Sequence, residues 1–369
     1  MERALARSRD RFGDPRPSRR RIRLMIVDDS TVARAVLSRM IENDPAFEIC
    51  AVAGTAEDAI EALDQVRVDI VILDLEMPGA GGLKSIPRII AAAAGAKVMI
   101  VSSLAEEGAE QTVTALALGA ADTMPKPGAG RFYGRFSEIL LAKLKALGHA
   151  TAVPMEPVQR QASTQLPLRA MPADPMDVLA VGASTGGIHA LGVLFQSLPR
   201  RIGVPILVTQ HLPALFMPVF ARQLGAVAHR ECAVATDGAQ LQPDHILVAP
   251  GDAHLTVEPS DRGTVVRLTR GRSLSGCMPS LDPMFASTGA VYGEGALGVV
   301  LTGMGRDGVE GAERMVACGG AVIAQDEATC AVWGMPRAVL EAGLACAVLP
   351  PDKIARRISG RTEEQPTCR

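Results

Sequence analysis

Aromatic residues make up only 3% of this 369-residue sequence, with a single tryptophan, so its cores must be filled by Val, Ile, Leu and Ala within a hydrophobic content of 48%. With 36 glycines available for tight connections, that composition favours α/β architecture over a β-sandwich. The seven cysteines (Cys50, Cys232, Cys277, Cys318, Cys330, Cys346 and Cys368) are scattered and form no C-x-x-C pair. This usage fits a reducing, cytoplasmic compartment and argues against disulfides or a structural zinc. No run of 18 apolar residues exists, so no membrane-spanning helix or direct membrane insertion is expected. A formal net charge of -2 gives no overall bias toward nucleic acid or anionic lipid. Arginines crowd residues 1–20, but no apolar stretch follows them, which points to a disordered tail or an early start codon rather than a secretory signal.

The most informative stretch is Val178 to Gly187, an apolar β-type run ending in Gly182-Ala183-Ser184-Thr185-Gly186. It fits G-x-S-x-G, a strand-to-helix turn whose small residues let a serine oxygen stand clear of the backbone. An amphipathic helix is expected from Ile188 to Leu198, its first amides facing the serine. The motif is weak alone, because glycine-rich turns of this kind also bind phosphate or merely redirect the chain.

Residues 21–147 repeat strand and helix patterns five times. Strands are expected at 22–27, 48–53, 69–73, 97–101 and 121–124, and helices at 32–41, 57–66, 83–93, 110–118 and 134–147. Nearly all-apolar strands alternating with helices predict a doubly wound parallel sheet whose ligands sit at the carboxyl ends of the strands. That edge collects Asp28, Asp29, Asp74, Ser102 and Lys126. Crowded carboxylates suit a hard divalent cation, most simply Mg²⁺, and a carboxylate can also accept a phosphoryl group. An Asp-Asp pair after a strand also fits a helix N-cap, but five polar residues meeting at one edge favour the binding reading.

Val27-Asp28-Asp29-Ser30, Asp74-Leu75-Glu76-Met77-Pro78 and Pro125-Lys126-Pro127 resemble the receiver domain of bacterial response regulators. The resemblance implies that Asp74 takes a phosphoryl group from a histidine kinase. It places Asp28, Asp29, Asp74 and the Glu76 carbonyl on Mg²⁺, with Ser102 and Lys126 touching the phosphoryl oxygens. Two departures stand out: Gly79-Ala80-Gly81-Gly82 lacks the acidic residue often found before the last glycine, and Thr123 stands where receivers commonly place an aromatic.

Residues 148–175 carry Pro154, Pro157, Pro167, Pro172 and Pro175 with little apolar periodicity, the composition of an interdomain linker. A second domain follows over 176–359, then a tail over 360–369. Its strands at 178–183, 204–209 and 298–302 deliver Ser184, His211 and Asp307 near their carboxyl ends. Serine needs a base and the base needs an orienting carboxylate, so these three form a candidate triad. The amides of Thr185 and Met304 are candidate oxyanion donors. His189, His245 and His254 compete for the base, and Asp307-Gly308 also fits a helix cap. The order Ser, His, Asp differs from the Ser, Asp, His order of α/β-hydrolases.

Gly182 to Gly187, Gln210-His211, Pro279-Ser280-Leu281-Asp282, Thr302 to Gly308, Gln325-Asp326-Glu327 and Val332 to Pro336 resemble the catalytic domain of the chemotaxis protein-glutamate methylesterases. The resemblance implies a doubly wound, mostly parallel α/β hydrolytic domain with Ser184, His211 and Asp307 as its triad and no cofactor of its own. It implies hydrolysis of glutamyl methyl esters on the cytoplasmic helices of chemoreceptors, and deamidation of receptor glutamines. Pro279 to Phe285 and Trp333 to Met335 are expected at the rim. Residues 176–369 show no compact recognition helix with a basic face, so no nucleic-acid partner is expected.

Overall fold

The computed structural model describes residues 20–77, 81–102, 106–126, 133–151, 167–172 and 174–362. The N-terminal sheet comprises β1 (Ile22–Val27), β2 (Phe47–Ala53), β3 (Ile70–Leu73), β4 (Lys97–Ser102) and β5 (Asp122–Pro125), ordered β2-β1-β3-β4-β5. Every pairing is parallel. Helices α1 (Thr31–Glu42), α2 (Ala56–Gln65), α3 (Gly82–Ala92), α4 (Glu106–Ala117) and α5 (Tyr133–Thr151) cover its faces. Ser30 and Thr55 start the first two helices, their hydroxyls accepting from the amides of Ala33 at 3.2 Å and Asp58 at 3.1 Å.

All five expected βα units are present. Helix α5, however, runs to Thr151, past the expected end of the domain at 147. The glycine at 148 does not break it, because a missing side chain is what the packing there requires: a Cβ would lie 2.6 Å from Ile22 Cδ1. The Arg-rich tail over residues 1–19, Pro78–Ala80, linker residues 152–166 and the last seven residues lie outside the described residues.

The C-terminal sheet contains β6 (Val178–Ala183), β7 (Ile206–Gln210), β8 (Cys232–Val234), β9 (Ile246–Val248), β12 (Ala296–Val300), β13 (Ala321–Gln325) and β14 (Ala345–Leu349). Between β9 and β12 a separate antiparallel hairpin forms from β10 (His254–Ser260) and β11 (Gly263–Thr269). The seven strands run β14-β13-β12-β6-β7-β9-β8, all in parallel. Helices α6 (Gly187–Ser197), α7 (Met217–Ala228), α8 (Leu281–Tyr292), α9 (Val309–Ala317), α10 (Met335–Glu341) and α11 (Pro351–Ser359) pack on the two faces. Strand β6 is buried throughout, which explains its unbroken apolar sequence.

From β6 the chain winds to β7 on one side and reaches β12 on the other. The strand order therefore reverses beside β6, and open α/β sheets bind ligands at such a crevice. Helix α4 of the first domain packs against α6 and α7 of the second, so the first domain lies over this edge. No helix among the described residues is long and apolar enough to cross a membrane.

Candidate active site and phosphoacceptor edge

Register places the triad candidates. Ala183 lies opposite Gln210 in the β6–β7 pair, so Ser184 and His211 are the next residues on adjacent strands, and the His211 amide donates to the Ala183 carbonyl at 3.1 Å. On the other side of β6, the Ser184 amide donates to the Thr302 carbonyl at 3.0 Å, which brings up the loop carrying Asp307. His211 Nε2 and Asp307 Oδ2 are 2.8 Å apart. With that nitrogen committed, Nδ1 is the ring atom left for Ser184. Ser184 and His211 line the same cavity of about 10 Å³ beneath the first domain.

Asp307 is 1% exposed and well satisfied. Its Oδ1 accepts from the hydroxyls of Ser275 and Ser280, each at 2.5 Å, and its Oδ2 accepts from the Leu281 amide at 2.8 Å as well as meeting His211. Burial disfavours its charge, but the His211 bond and these donors hold its pKa down at about 2. Burial likewise opposes the imidazolium. The bond to Asp307, with Cys277 beside the ring, nevertheless lifts His211 to about 9, so the carboxylate favours the imidazolium over the neutral ring.

The competing histidines fall away. His189 is exposed, and His245 sits at the surface 3.4 Å from Glu231. His254 is buried with both nitrogens used: Nδ1 accepts from the Ser280 amide at 2.9 Å and Nε2 donates to the Gly271 carbonyl at 2.8 Å. Ser280 is fully buried and directs its proton at Asp307 rather than at a base, so it orients the carboxylate. Helix α9 is capped not by Asp307 but by Asp282, whose Oδ1 accepts from the amides of Gly308 at 3.0 Å and Gly311 at 2.9 Å. Burial among these groups, including Asp307, pushes Asp282 up to about 6.

The expected rim needs correction here. Ser280, Leu281, Met284 and Phe285 are each 0% exposed, so the segment from Pro279 braces Asp307 from behind instead of edging the site. Sequence reasoning assigned no role to Gln210, whose Nε2 donates to the Ser184 carbonyl at 2.9 Å and fixes the serine loop. Its place beside His211 at the end of β7 was the available signal.

Of the two oxyanion candidates, Met304 is 39% exposed in the loop after β12, while Thr185 is buried. Gly186 starts α6 at φ 77°, where L-residues are strained, and a Cβ there would meet Ala331 Cβ at 2.4 Å. Gly186→Ala is therefore expected to destabilise the protein by about 1–3 kcal/mol, read as a lower urea midpoint with unchanged slope. An unchanged midpoint would mean the turn relaxes freely.

The first domain closes this site with backbone and side chain together. The Ala121 carbonyl accepts from the Gly186 amide at 2.6 Å, and Asp122 Oδ2 accepts from the Thr185 hydroxyl at 2.6 Å. Lys143 of α5 holds the same carboxylate oxygen at 2.7 Å. Farther out, Gln223 Nε2 donates to Thr114 Oγ1 at 3.0 Å. Thr123 is buried at this junction and lines the cavity with Ser184.

At the edge of the N-terminal sheet, Asp28, Asp29 and Asp74 offer carboxylate oxygens that all lie within 4.8 Å of one another. Lys126 Nζ is 2.7 Å from Asp74 Oδ2 and 3.1 Å from Asp28 Oδ2. Burial pushes the Asp74 carboxyl up, against the pull of Lys126. Desolvation pulls Lys126 down, but its bond to Asp74 wins and raises it. Asp28 Oδ2 is buried, and the Lys126 ammonium is its ion-pair partner. Three hard oxygen donors this close together fit a Mg²⁺ ion. Glu76 lies beside Asp74, its amide donating to Asp74 Oδ1 at 3.2 Å. Ser102 ends β4, and its side chain lies outside the described residues.

Comparison with known proteins identifies both domains. Residues 24–131 match the response regulator receiver domain family, and residues 179–358 match the CheB methylesterase family. The chain is 37% identical over 366 residues to protein-glutamate methylesterase/protein-glutamine glutaminase 1 of Paramagnetospirillum magneticum, covering 92% of this chain and 96% of the relative. It is 41% identical over 343 residues to protein-glutamate methylesterase/protein-glutamine glutaminase 2 of Caulobacter vibrioides, covering 92% and 99%. Among solved structures, the CheB methylesterase catalytic domain of Thermotoga maritima is 34% identical, with a TM-score of 0.49, and spans 50% of this chain and 97% of its own. The chain thus belongs to the protein-glutamate methylesterase/protein-glutamine glutaminase family, in which a response-regulator receiver is joined to a CheB-type methylesterase domain.

Proposed function

We propose that this enzyme acts on the cytoplasmic helices of chemoreceptors, converting glutamyl methyl esters to glutamate and methanol and glutaminyl side chains to glutamate and ammonia. Ser184, His211 and Asp307 carry the chemistry. The single observation that supports this reading most strongly is the 2.8 Å His211–Asp307 bond at the carboxyl ends of the strands flanking Ser184.

His211, once it has lost its proton to water, takes the Ser184 hydroxyl proton through Nδ1 as the oxygen attacks the side-chain carbonyl. Asp307 holds the ring orientation and stabilises the imidazolium. The amides of Thr185 and Met304 face the developing oxyanion, each contributing about 2.7–4 kcal/mol. His211 returns the proton to the leaving methoxide or amide nitrogen. Water then attacks the acyl-serine with the same base, releasing the carboxylate and regenerating the hydroxyl.

The receiver covers this machinery until a histidine kinase phosphorylates Asp74. Asp28, Asp29, Asp74 and the Glu76 carbonyl would hold Mg²⁺, which neutralises charge on an incoming phosphoryl group. Lys126 then exchanges its carboxylate contacts for phosphoryl oxygens, with Ser102 as a hydroxyl partner. Strand β5 leads from Asp122 at the cover to Lys126 at the phosphoacceptor, so one strand links the two sites.

Methanol release from methylated receptor, with and without a small-molecule phosphodonor, tests the scheme. Wild type is expected to accelerate on phosphorylation, and Asp74→Asn to stay at its basal rate. Equal acceleration in Asp74→Asn would overturn the assignment of the phosphoacceptor.

A further inference from the structure

The base of the triad has a neighbour that hydrolysis does not use. Cys277 is half-buried in the loop before α8, and the ligand atoms of His211, Cys277 and Asp307 all lie within 4.8 Å of one another. The loop is fixed rather than incidental. Ser273 Oγ donates to the Cys277 carbonyl at 2.9 Å, the Cys277 amide donates to Ser275 Oγ at 3.3 Å, and Ser275 in turn donates to Asp307 at 2.5 Å. One hydroxyl therefore holds both the carboxylate and the backbone that carries the thiol.

We propose that His211, Cys277 and Asp307 form an inhibitory site for a thiophilic divalent cation, Zn²⁺ first among them. Thiolate, imidazole and carboxylate supply three positions of a tetrahedral zinc site and leave the fourth to water. The sulfur donor separates this site from the all-oxygen cluster of Asp28, Asp29 and Asp74, which suits Mg²⁺. Access exists even with the receiver in place: a crevice of about 420 Å³ runs between the domains along His211, Pro213, Met278, Phe136 and Ile139. Binding displaces to water the thiol proton and the proton, where present, on the ligating ring nitrogen; the other ring nitrogen keeps its own. With one ring nitrogen on the metal and the other carrying a proton, the imidazole has no lone pair to accept the Ser184 proton, so occupancy stops hydrolysis. Only that inhibitory consequence rests on the hydrolase reading; the binding itself does not.

The test uses the full chain. Co²⁺ is titrated into wild type, Cys277→Ser and Cys232→Ser, and the thiolate-to-metal charge-transfer absorption is recorded; Zn²⁺ should displace it. In parallel, Zn²⁺ is titrated into the methanol-release assay and reversed with a chelator. Wild type and Cys232→Ser are expected to show the band, and Cys277→Ser to lose it. Because losing even a supporting partner of a metal ligand costs about 10–100-fold in affinity, Cys277→Ser should shift the half-inhibiting Zn²⁺ concentration by at least that much while still hydrolysing ester in chelator. A band retained in Cys277→Ser, or the same Zn²⁺ sensitivity in both proteins, would overturn the proposal. A band lost without any change in zinc sensitivity would remove the inhibitory role and leave the site.

Discussion

Ser184→Ala is expected to abolish methanol release, lowering kcat by about 10⁴- to 10⁶-fold, as loss of a serine nucleophile does where the remaining site still binds substrate. Thr185 is committed to Asp122, and Ser280 is enclosed behind Asp307. The variant should fold normally, because the serine loop is fixed by the Gln210 bond to the Ser184 carbonyl and by the Ser184 amide, neither of which needs the hydroxyl. Residual hydrolysis within tenfold of wild type, in protein with an unchanged urea midpoint, would point to a different nucleophile.

Asp122→Ala is expected to do the reverse, raising hydrolysis by the unphosphorylated enzyme. The carboxylate receives the Thr185 hydroxyl at 2.6 Å and the Lys143 ammonium at 2.7 Å. Charged hydrogen bonds contribute about 1.5–3 kcal/mol each, so losing the Thr185 contact shifts the covered–uncovered balance by about 10- to 100-fold. Basal activity should rise toward the phosphorylated rate, and the gain on adding phosphodonor should shrink correspondingly. Lys143→Met is expected to act in the same direction more weakly, since Lys143 is partly exposed and screened. A basal rate unchanged in Asp122→Ala would mean that the Ala121 carbonyl and the helix contacts hold the cover without this carboxylate.

Much of this arrangement is legible in the sequence because parallel sheets write their order plainly. Strands such as Ile70–Leu73 and Val178–Ala183 are buried on both faces and read as unbroken apolar runs. Polar residues at their carboxyl ends then stand out by contrast, which exposes Asp28, Asp74, Ser184 and His211. Supporting contacts do not follow the same logic. Ser275, Ser280 and Asp282 act on Asp307 or its loop from across the chain, through side-chain bonds that no periodicity encodes. The same holds for Asp122, which looks like an ordinary strand-start residue until the second domain is placed against it. Helix α5 runs past 147 for a related reason: apolar periodicity fades there, whereas the close approach of Gly148 to Ile22 makes that residue part of the helix packing.

The Ala121 carbonyl engages Gly186 from within the same polypeptide, so the cover behaves as a tethered competitor. Linkage within one chain holds such a competitor at about millimolar local strength, whatever the number of molecules present. The covered fraction is therefore independent of how much protein is present, and any molecule that needs this edge competes with a cover of fixed strength.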